Sequence, residues 1–256
     1  MWQAAANAIR TTDTFPKGSY SKVGDSGSYI AGIAKGSGMI APNMATMLAF
    51  IFTDMEISHR DLQLLTEQSV NKSFNSITVD SDTSTSDTVL TFATGESGNA
   101  IEDHHLDFQN ALDDVMFGLA HQIVRDGEGA TKFIEITVTG AEDDAAATKI
   151  GKSVGNSPLV KTAIAAEDAN WGRIVMAVGK AGELAERDRL KIWIGDELIA
   201  EDGMQSVEYE ESRASAHLKG KDISIKVDVG VGNGSSTVWT CDLTHGYIDI
   251  NAGYRS

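Results

Sequence analysis

The segment Lys35–Leu48, KGSGMIAPNMATML, constrains this chain more than any other. Gly36, Gly38 and Pro42 disfavour both helix and central strand, so Lys35 to Asn43 is expected as an irregular, closely packed loop. From Thr46 to Phe52 the residues have the length and apolar composition of a buried strand. A threonine therefore stands at a loop-to-strand junction with the small Ala45 before it. Two readings follow. In one, the loop is a turn feeding a core strand and nothing more. In the other, the Thr46 hydroxyl attacks the carbonyl of Ala45, an ester replaces the amide, and water releases a chain that begins at Thr46. The freed α-amine then serves as base for its own hydroxyl.

Composition narrows the partners. A chain of 256 residues accommodates one large domain or two small ones. Its net charge of −16 argues against nucleic acid and anionic membrane, neither of which attracts an acidic surface. The single cysteine, Cys241, rules out an internal disulfide and fits a reducing compartment; it reads as a packed strand residue. No apolar run approaches the roughly 20 residues that span a bilayer, and MWQAAANAIR lacks the apolar core of a signal peptide. A cytoplasmic protein is expected.

Periodicity places the remaining elements. Residues 2–10 read as a short helix with Ala5, Ala8 and Ile9 on one face, and Gly18–Ser28 as a hairpin or surface loop. Ser58 with Asp61 three residues later reads as a capping pair ahead of a helix bearing Leu62, Leu65, Val70 and Phe74. Ile77–Val79 and Thr88–Phe92 read as strands around a polar loop, whose spacing does not match an EF-hand. A second helix runs from Asp103 to Val124, with Leu106, Leu112, Val115, Phe117, Leu119 and Ile123 mostly inward. Adjacent His104 and His105 cannot share a helix face, and no metal site is expected. Ile134, Ile136 and Val138 alternate as a strand. Ser157-Pro158 opens a further helix, and DANWGRIVMAVG turns into another. Strands are expected over Leu190–Ile199, Ile223–Val231 and Ser236–Leu243, with VGVGNGSSTV as a hairpin turn between the last two. Helices and strands come in runs rather than strict βαβ units, so the fold class is α+β, in layered form.

KGSGMIAPNMATML, preceded by TTDTFPK (Thr11–Lys17), resembles the processing-site signature of the glutamate N-acetyltransferase / ornithine acetyltransferase family of arginine biosynthesis. The resemblance continues through SFNSITVDSDTSTSD, RDGEGATK, DANWGRI and the terminal INAGYRS, in the family's order and over nearly the whole chain. It implies a self-processing fold of the N-terminal-nucleophile kind, cleaved between Ala45 and Thr46, with catalytic Thr46 as nucleophile. It implies a ping-pong acetyl transfer from N-acetylornithine to glutamate, with acetyl-CoA as an alternative donor in some members and no cofactor or metal. Substrate-binding positions carry over to Thr11, Lys35, Thr46, Glu128, Asn251 and Ser256. The domains expected are 1–45, the remnant of a first chain; 46–160, the nucleophile-bearing core; and 161–256, a C-terminal subdomain with the substrate-binding tail. Two first and two second chains assemble as a heterotetramer in the family.

Three departures stand out. Gly253 occupies a position where aspartate is expected, and Ser256 one where threonine is usual. The family also carries a long segment ahead of TTDT, including a Thr-Gly pair that forms the oxyanion hole; a truncated gene product, a split gene whose partner is another polypeptide and a shorter working enzyme each account for this, and the first, with impaired activity, is expected. Two alternatives sit beside this reading: an amidase or aminopeptidase with water as acceptor, and a non-catalytic remnant that binds amino acids or a partner chain.

Overall fold

The computed structural model describes residues 1–41, 47–83 and 86–253. The chain is α+β and divides into two compact units, Met1–Gly127 and Glu128–Ser256.

The first unit is built on a four-stranded sheet of β1 (Lys17–Lys22), β2 (Tyr29–Lys35), β3 (Leu48–Thr53) and β4 (Thr88–Ala93), in that spatial order. The expected hairpin is β1–turn–β2. The β1/β2 and β2/β3 pairs are antiparallel, while β3 and β4 run parallel. Three helices accompany the sheet: α1 (Trp2–Ala8), α2 (His59–Lys72) and α3 (His105–Arg125). The Ser58 hydroxyl accepts from Asp61 N at 3.2 Å and donates to Asp61 Oδ2 at 2.6 Å, the cap expected from the sequence.

The core of this unit lies between α3 and the sheet. Phe108, Leu112, Val115, Met116, Leu119 and Ile123 are fully buried, each such side chain contributing about 1.5–3 kcal/mol relative to exposure. Leu106 and Phe117, expected inward, are exposed because they lie three turns apart on the outer side of α3. In α1 only Ala6 is buried, rather than the expected Ala5–Ala8–Ile9 face, and Trp2 sets its ring edge-on to Phe52 at 5.3 Å. Ile77–Val79 is not a strand; its backbone and side chains turn to Ile40 instead.

The second unit carries a six-stranded sheet in the order β10-β5-β9-β6-β7-β8. Its elements are β5 (Phe133–Ala141), α4 (Asp144–Gly155), α5 (Pro158–Ala165), α6 (Trp171–Gly179), β6 (Lys191–Ile194), β7 (Glu197–Glu201), β8 (Met204–Gln205), α7 (Glu211–Leu218), β9 (Asp222–Asp228), β10 (Gly234–Cys241) and α8 (His245–Gly253). Ile134, Ile136 and Val138 of β5 meet Ile150 and Val154 of α4 in one core with Ile192 and Ile225. Because β5 and α4 pack here, the compact division falls at 127/128, whereas the sequence reading drew boundaries at 45/46 and 160/161.

Two local expectations change. Leu190–Ile199 is not one strand: Gly195, at φ 62°, turns the chain so that β6 and β7 pair antiparallel. VGVGNGSSTV is not a hairpin turn either, because β5 sits between β9 and β10. The connection crosses the end of β5, where Val231 N and Gly232 N both donate to Gly140 O at 2.8 Å. A Cβ at Gly234 would fall 2.1 Å from the Asp143 backbone, so only glycine passes there. Cys241 is a buried strand residue, as expected. Among the described residues no helix is long and apolar enough to cross a membrane, and no group of three or more His, Cys, Asp or Glu side chains is arranged to hold a metal ion.

Candidate functional site

In the first unit the site is organised by a buried cation. Lys17 is fully buried, with its Nζ 2.6 Å from Asp13 Oδ1 and 2.5 Å from Asp126 Oδ2. Each carboxylate then reaches into a loop. Asp13 Oδ1 accepts from Gly36 N at 2.7 Å and Asp13 Oδ2 from Thr11 N at 3.2 Å. Asp126 accepts from Thr14 N at 3.0 Å and, in a very short bond, from the Thr14 hydroxyl. The Asp126 carbonyl accepts from the Ser37 hydroxyl. TTDT, the glycine loop and the end of α3 are thereby fastened at one point. Burial pushes the Asp13 carboxyl up, but the bonds from Gly36 and Lys17 outweigh it and hold the group below the usual carboxylate range.

Thr11 is exposed and Lys35 is buried, and both flank this network: Thr11 through its amide on Asp13, Lys35 as the residue before Gly36. In the β2/β3 register Lys35 stands opposite Leu48. A cavity of about 420 Å³ opens beside the start of β3, lined among others by Ala41, Met47, Glu67, Phe74, Ile77 and Asp87. Asp87 Oδ1 accepts from Met47 N at 2.7 Å. Burial pushes the Asp87 carboxyl up to about 6, against the Met47 amide and the charge of Lys35, which pull it down.

That shift has a signed consequence. A carboxyl whose folded-state pKa lies above its ordinary 3.8 stabilises the fold fully below that value, and the contribution is lost as pH rises through about 6. Asp87→Asn mimics the protonated form and keeps an oxygen for Met47. It is therefore expected to be more stable than the parent at pH 7.5, with the gap closing as pH falls from 6 toward 4. Urea melts across that range check this; a gap that widens on acidification refutes it.

In the second unit Glu128 and Asn251 come together. Asn251 Nδ2 donates to Glu128 Oε2 at 2.8 Å and to Tyr247 O, one turn back on α8, at 3.0 Å. The start of α8 is tied down by Thr244, whose hydroxyl donates to Gly129 O at 2.6 Å and accepts from Gly246 N at 3.0 Å. Asp242 fixes the strand entry by accepting from Thr131 N and Lys132 N at 2.8 and 2.9 Å. Ala45, Thr46 and Ser256 lie outside the described residues.

Sequence reasoning did not single out Asp13, Lys17, Asp126, Asp80 or Asp87 as site residues. The signal available was placement, since each sits inside or beside a motif already picked out. No spacing rule, however, links Asp13 to a carboxylate beyond α3.

Comparison with known proteins bears on the whole chain. The ArgJ family model matches residues 1–256. The chain is similar to the "Arginine biosynthesis bifunctional protein ArgJ" of Ruegeria pomeroyi, 60% identical over 254 residues, covering 98% of this chain and 62% of that protein. It is also similar to the protein of the same name from Agrobacterium fabrum, at 56% identity over 265 residues, covering 100% of this chain and 64% of that protein. The chain thus spans less than two thirds of the length of these relatives. Among solved structures it resembles the arginine biosynthesis bifunctional protein argJ of Bacillus halodurans, with a TM-score of 0.78 and 43% identity, covering 82% of this chain and 100% of that one.

Proposed function

This chain belongs to the ArgJ family, and from that premise we propose that it transfers an acetyl group from N-acetylornithine to glutamate through an acetyl-Thr46 intermediate. The observation that carries this reading is the position of Lys35. Lys35 is buried, its backbone pairs with Leu48 at the head of β3, two residues along from Thr46, and its charge acts on Asp87 beside that strand end. An anionic substrate group drawn to that cation would lie at the strand end that follows the nucleophile.

Processing comes first. The Thr46 hydroxyl attacks the Ala45 carbonyl, the amide nitrogen takes the proton, and the resulting ester is hydrolysed to a carboxylate on Ala45 and a free amine on Thr46. That amine, titrating near pH 8 in model peptides, is a base of useful strength for the adjacent hydroxyl. The hydroxyl then attacks the acetyl carbonyl of N-acetylornithine, and ornithine leaves with the proton on its α-amine. Glutamate's α-amine takes the acetyl group and restores Thr46.

Lys35 and Glu128 bind the charged ends of the amino acids, and Thr11, Asn251 and Ser256 supply hydrogen bonds. The hydroxyl and the amine carry every step, so the reading calls for no metal or cofactor; acetyl-CoA is an alternative donor. The partners are small amino acids rather than nucleic acid or membrane, the compartment is the cytoplasm, and the assembly is a heterotetramer of two cleaved pairs.

Intact mass tests the reading. The full chain is expected to give two fragments split between Ala45 and Thr46, and the fragment beginning at Thr46 is expected to gain one acetyl group on incubation with N-acetylornithine. Thr46→Ala should remain a single 27.3 kDa species without the adduct. Fragments at another bond, or an adduct on the variant, refute it. Acetate appearing in place of N-acetylglutamate would mark water as the acceptor and an amidase instead.

A further inference from the structure

The stretch Thr78–Thr88 touches both flanks of residues 42–46. On the upstream side, Asp80 Oδ2 accepts from Met39 N at 2.7 Å and Asp80 Oδ1 from Ile40 N at 3.0 Å. The Ile40 carbonyl accepts from Val79 N at 2.7 Å and from the Thr78 hydroxyl at 3.1 Å. On the downstream side, Asp87 Oδ1 accepts from Met47 N at 2.7 Å, and the Met47 carbonyl accepts from Thr88 N at 3.0 Å. Beyond that point β3 and β4 run in parallel register from Leu48↔Thr88.

These bonds do more than close a loop. Met39 has φ 55°, a conformation that a non-glycine residue holds only where its surroundings over-determine it. Its side chain is exposed, so burial does not fix it there. The Asp80 carboxylate does, taking two successive amides in one grip. At the other end Asp87 Oδ1 accepts from the amide of Met47, the residue that follows Thr46 in the chain.

We propose that Asp80 and Asp87 are positioning residues for Thr46, clamping the backbone on either side of the Ala45–Thr46 bond so that attack starts from a fixed geometry. This rests on the reading of Thr46 as the nucleophile. The physical gain is orientational: the amide that follows the nucleophile is held by Asp87, and misplacement of a reacting group by order 1 Å costs about a hundredfold in rate.

The test uses the full chain and two readouts. The first is the rate of appearance of the fragments by intact mass in the parent, Asp80→Ala, Asp87→Ala and Asp87→Asn. Both alanine variants are expected to cleave about tenfold or more slowly, and Asp87→Asn, which still accepts from Met47, to keep most of the parent's rate. The second readout is amide hydrogen exchange on the uncleavable Thr46→Ala background. Met39, Ile40 and Met47 should be protected. Adding Asp87→Ala should expose Met47 but not Ile40, and adding Asp80→Ala should do the reverse. A purely structural role predicts protection lost throughout β3 and a cleavage rate that follows melting temperature.

Parental cleavage rates in both alanine variants, or an unprotected Met47 amide before any change to Asp87, overturn the clamp. Should the parent itself fail to cleave, the reading of Thr46 fails separately, and the exchange pattern still decides whether the two aspartates hold the flanks.

Discussion

Lys17→Met is expected to remove about 3–5 kcal/mol of stability from the first unit, the cost of leaving buried charge without its partner. That is a large share of the roughly 5–15 kcal/mol that holds a typical domain together. The geometry explains the size of the effect. The Lys17 ammonium has no exposure and lies between two carboxylates, with the Phe15 ring 4.9 Å away. Methionine matches the stem but leaves Asp13 and Asp126 facing each other with no cation between them.

The pH dependence gives the argument a second handle. In the parent, the Asp13 carboxyl titrates below its ordinary value of 3.8, so its stabilisation is present above that pH and is lost as pH falls through the depressed value. In the variant, the paired carboxylates share a proton readily, so the variant should regain stability relative to the parent as pH drops toward 5 and below. The two stability curves, measured by urea unfolding between pH 4 and 8, are expected to converge on acidification. Neutralising both acids in the Lys17→Met background should recover part of the loss at pH 7. A loss below about 1 kcal/mol, the range of exposed pairs, would show that water reaches the three groups. Function should follow the same network, since the Thr11 and Gly36 amides both end on Asp13. A conservative Lys17→Arg chain that folds but shows a raised KM for the amino acids would separate positioning from stability.

What the sequence disclosed, and what it withheld, divides by range. Features set by neighbours in the chain were legible. The Ser58 cap, the Ser157-Pro158 helix start and the alternation of Ile134, Ile136 and Val138 each follow from side chains within a few residues of one another. Features set by distant partners were not. Nothing local in VGVGNGSSTV shows that β5 lies between β9 and β10, because that depends on residues some ninety positions upstream. The helix α8 escaped for a different reason. It has no fully buried residue and therefore no apolar stripe to read, although it carries Asn251. The β6–β7 turn did leave a signal, Gly195-Asp196 between two apolar runs, which is a recognised two-residue hairpin pattern.

The candidate site follows the same division. Family resemblance picked out Thr11, Lys35, Glu128 and Asn251 one by one. The structure adds the bond from Asn251 to Glu128 and the shared dependence of Thr11 and the Lys35 loop on Asp13. It also shows Asp80 and Asp87, expected in a polar loop between two strands, bonding to both flanks of residues 42–46.

Gly129→Ala is expected to undo the Glu128–Asn251 pair without touching either residue. Gly129 has φ 71°, and an added Cβ would fall 2.2 Å from Tyr247 N and 2.4 Å from Gly246 C. Both are backbone atoms, so no rotamer change relieves the clash. The left-handed conformation alone costs on the order of 1–3 kcal/mol for a residue with a Cβ, and the remaining strain must be released by movement of the start of α8. Thr244 bridges Gly129 O to Gly246 N, so its hydroxyl loses at least one partner as the two segments separate. Asn251 is then carried away from Glu128.

The expected readouts are loss of amide protection across α8, early proteolytic cleavage within it, and a KM for the amino-acid substrates raised about tenfold or more, as expected for loss of one charged hydrogen bond. Under the proposed function, cleavage between Ala45 and Thr46 should be unchanged, because both residues lie in the first unit and Gly129 in the second. Gly253→Ala is the matched control at the far end of the same helix, where an added Cβ meets nothing within 4 Å. It should raise helix propensity slightly and leave binding alone. If α8 keeps its protection in Gly129→Ala while substrate binding is lost, then Gly129 itself shapes the site and the helix is not the intermediary. If both are retained, the close approach of Gly129 to Gly246 does not govern the position of Asn251.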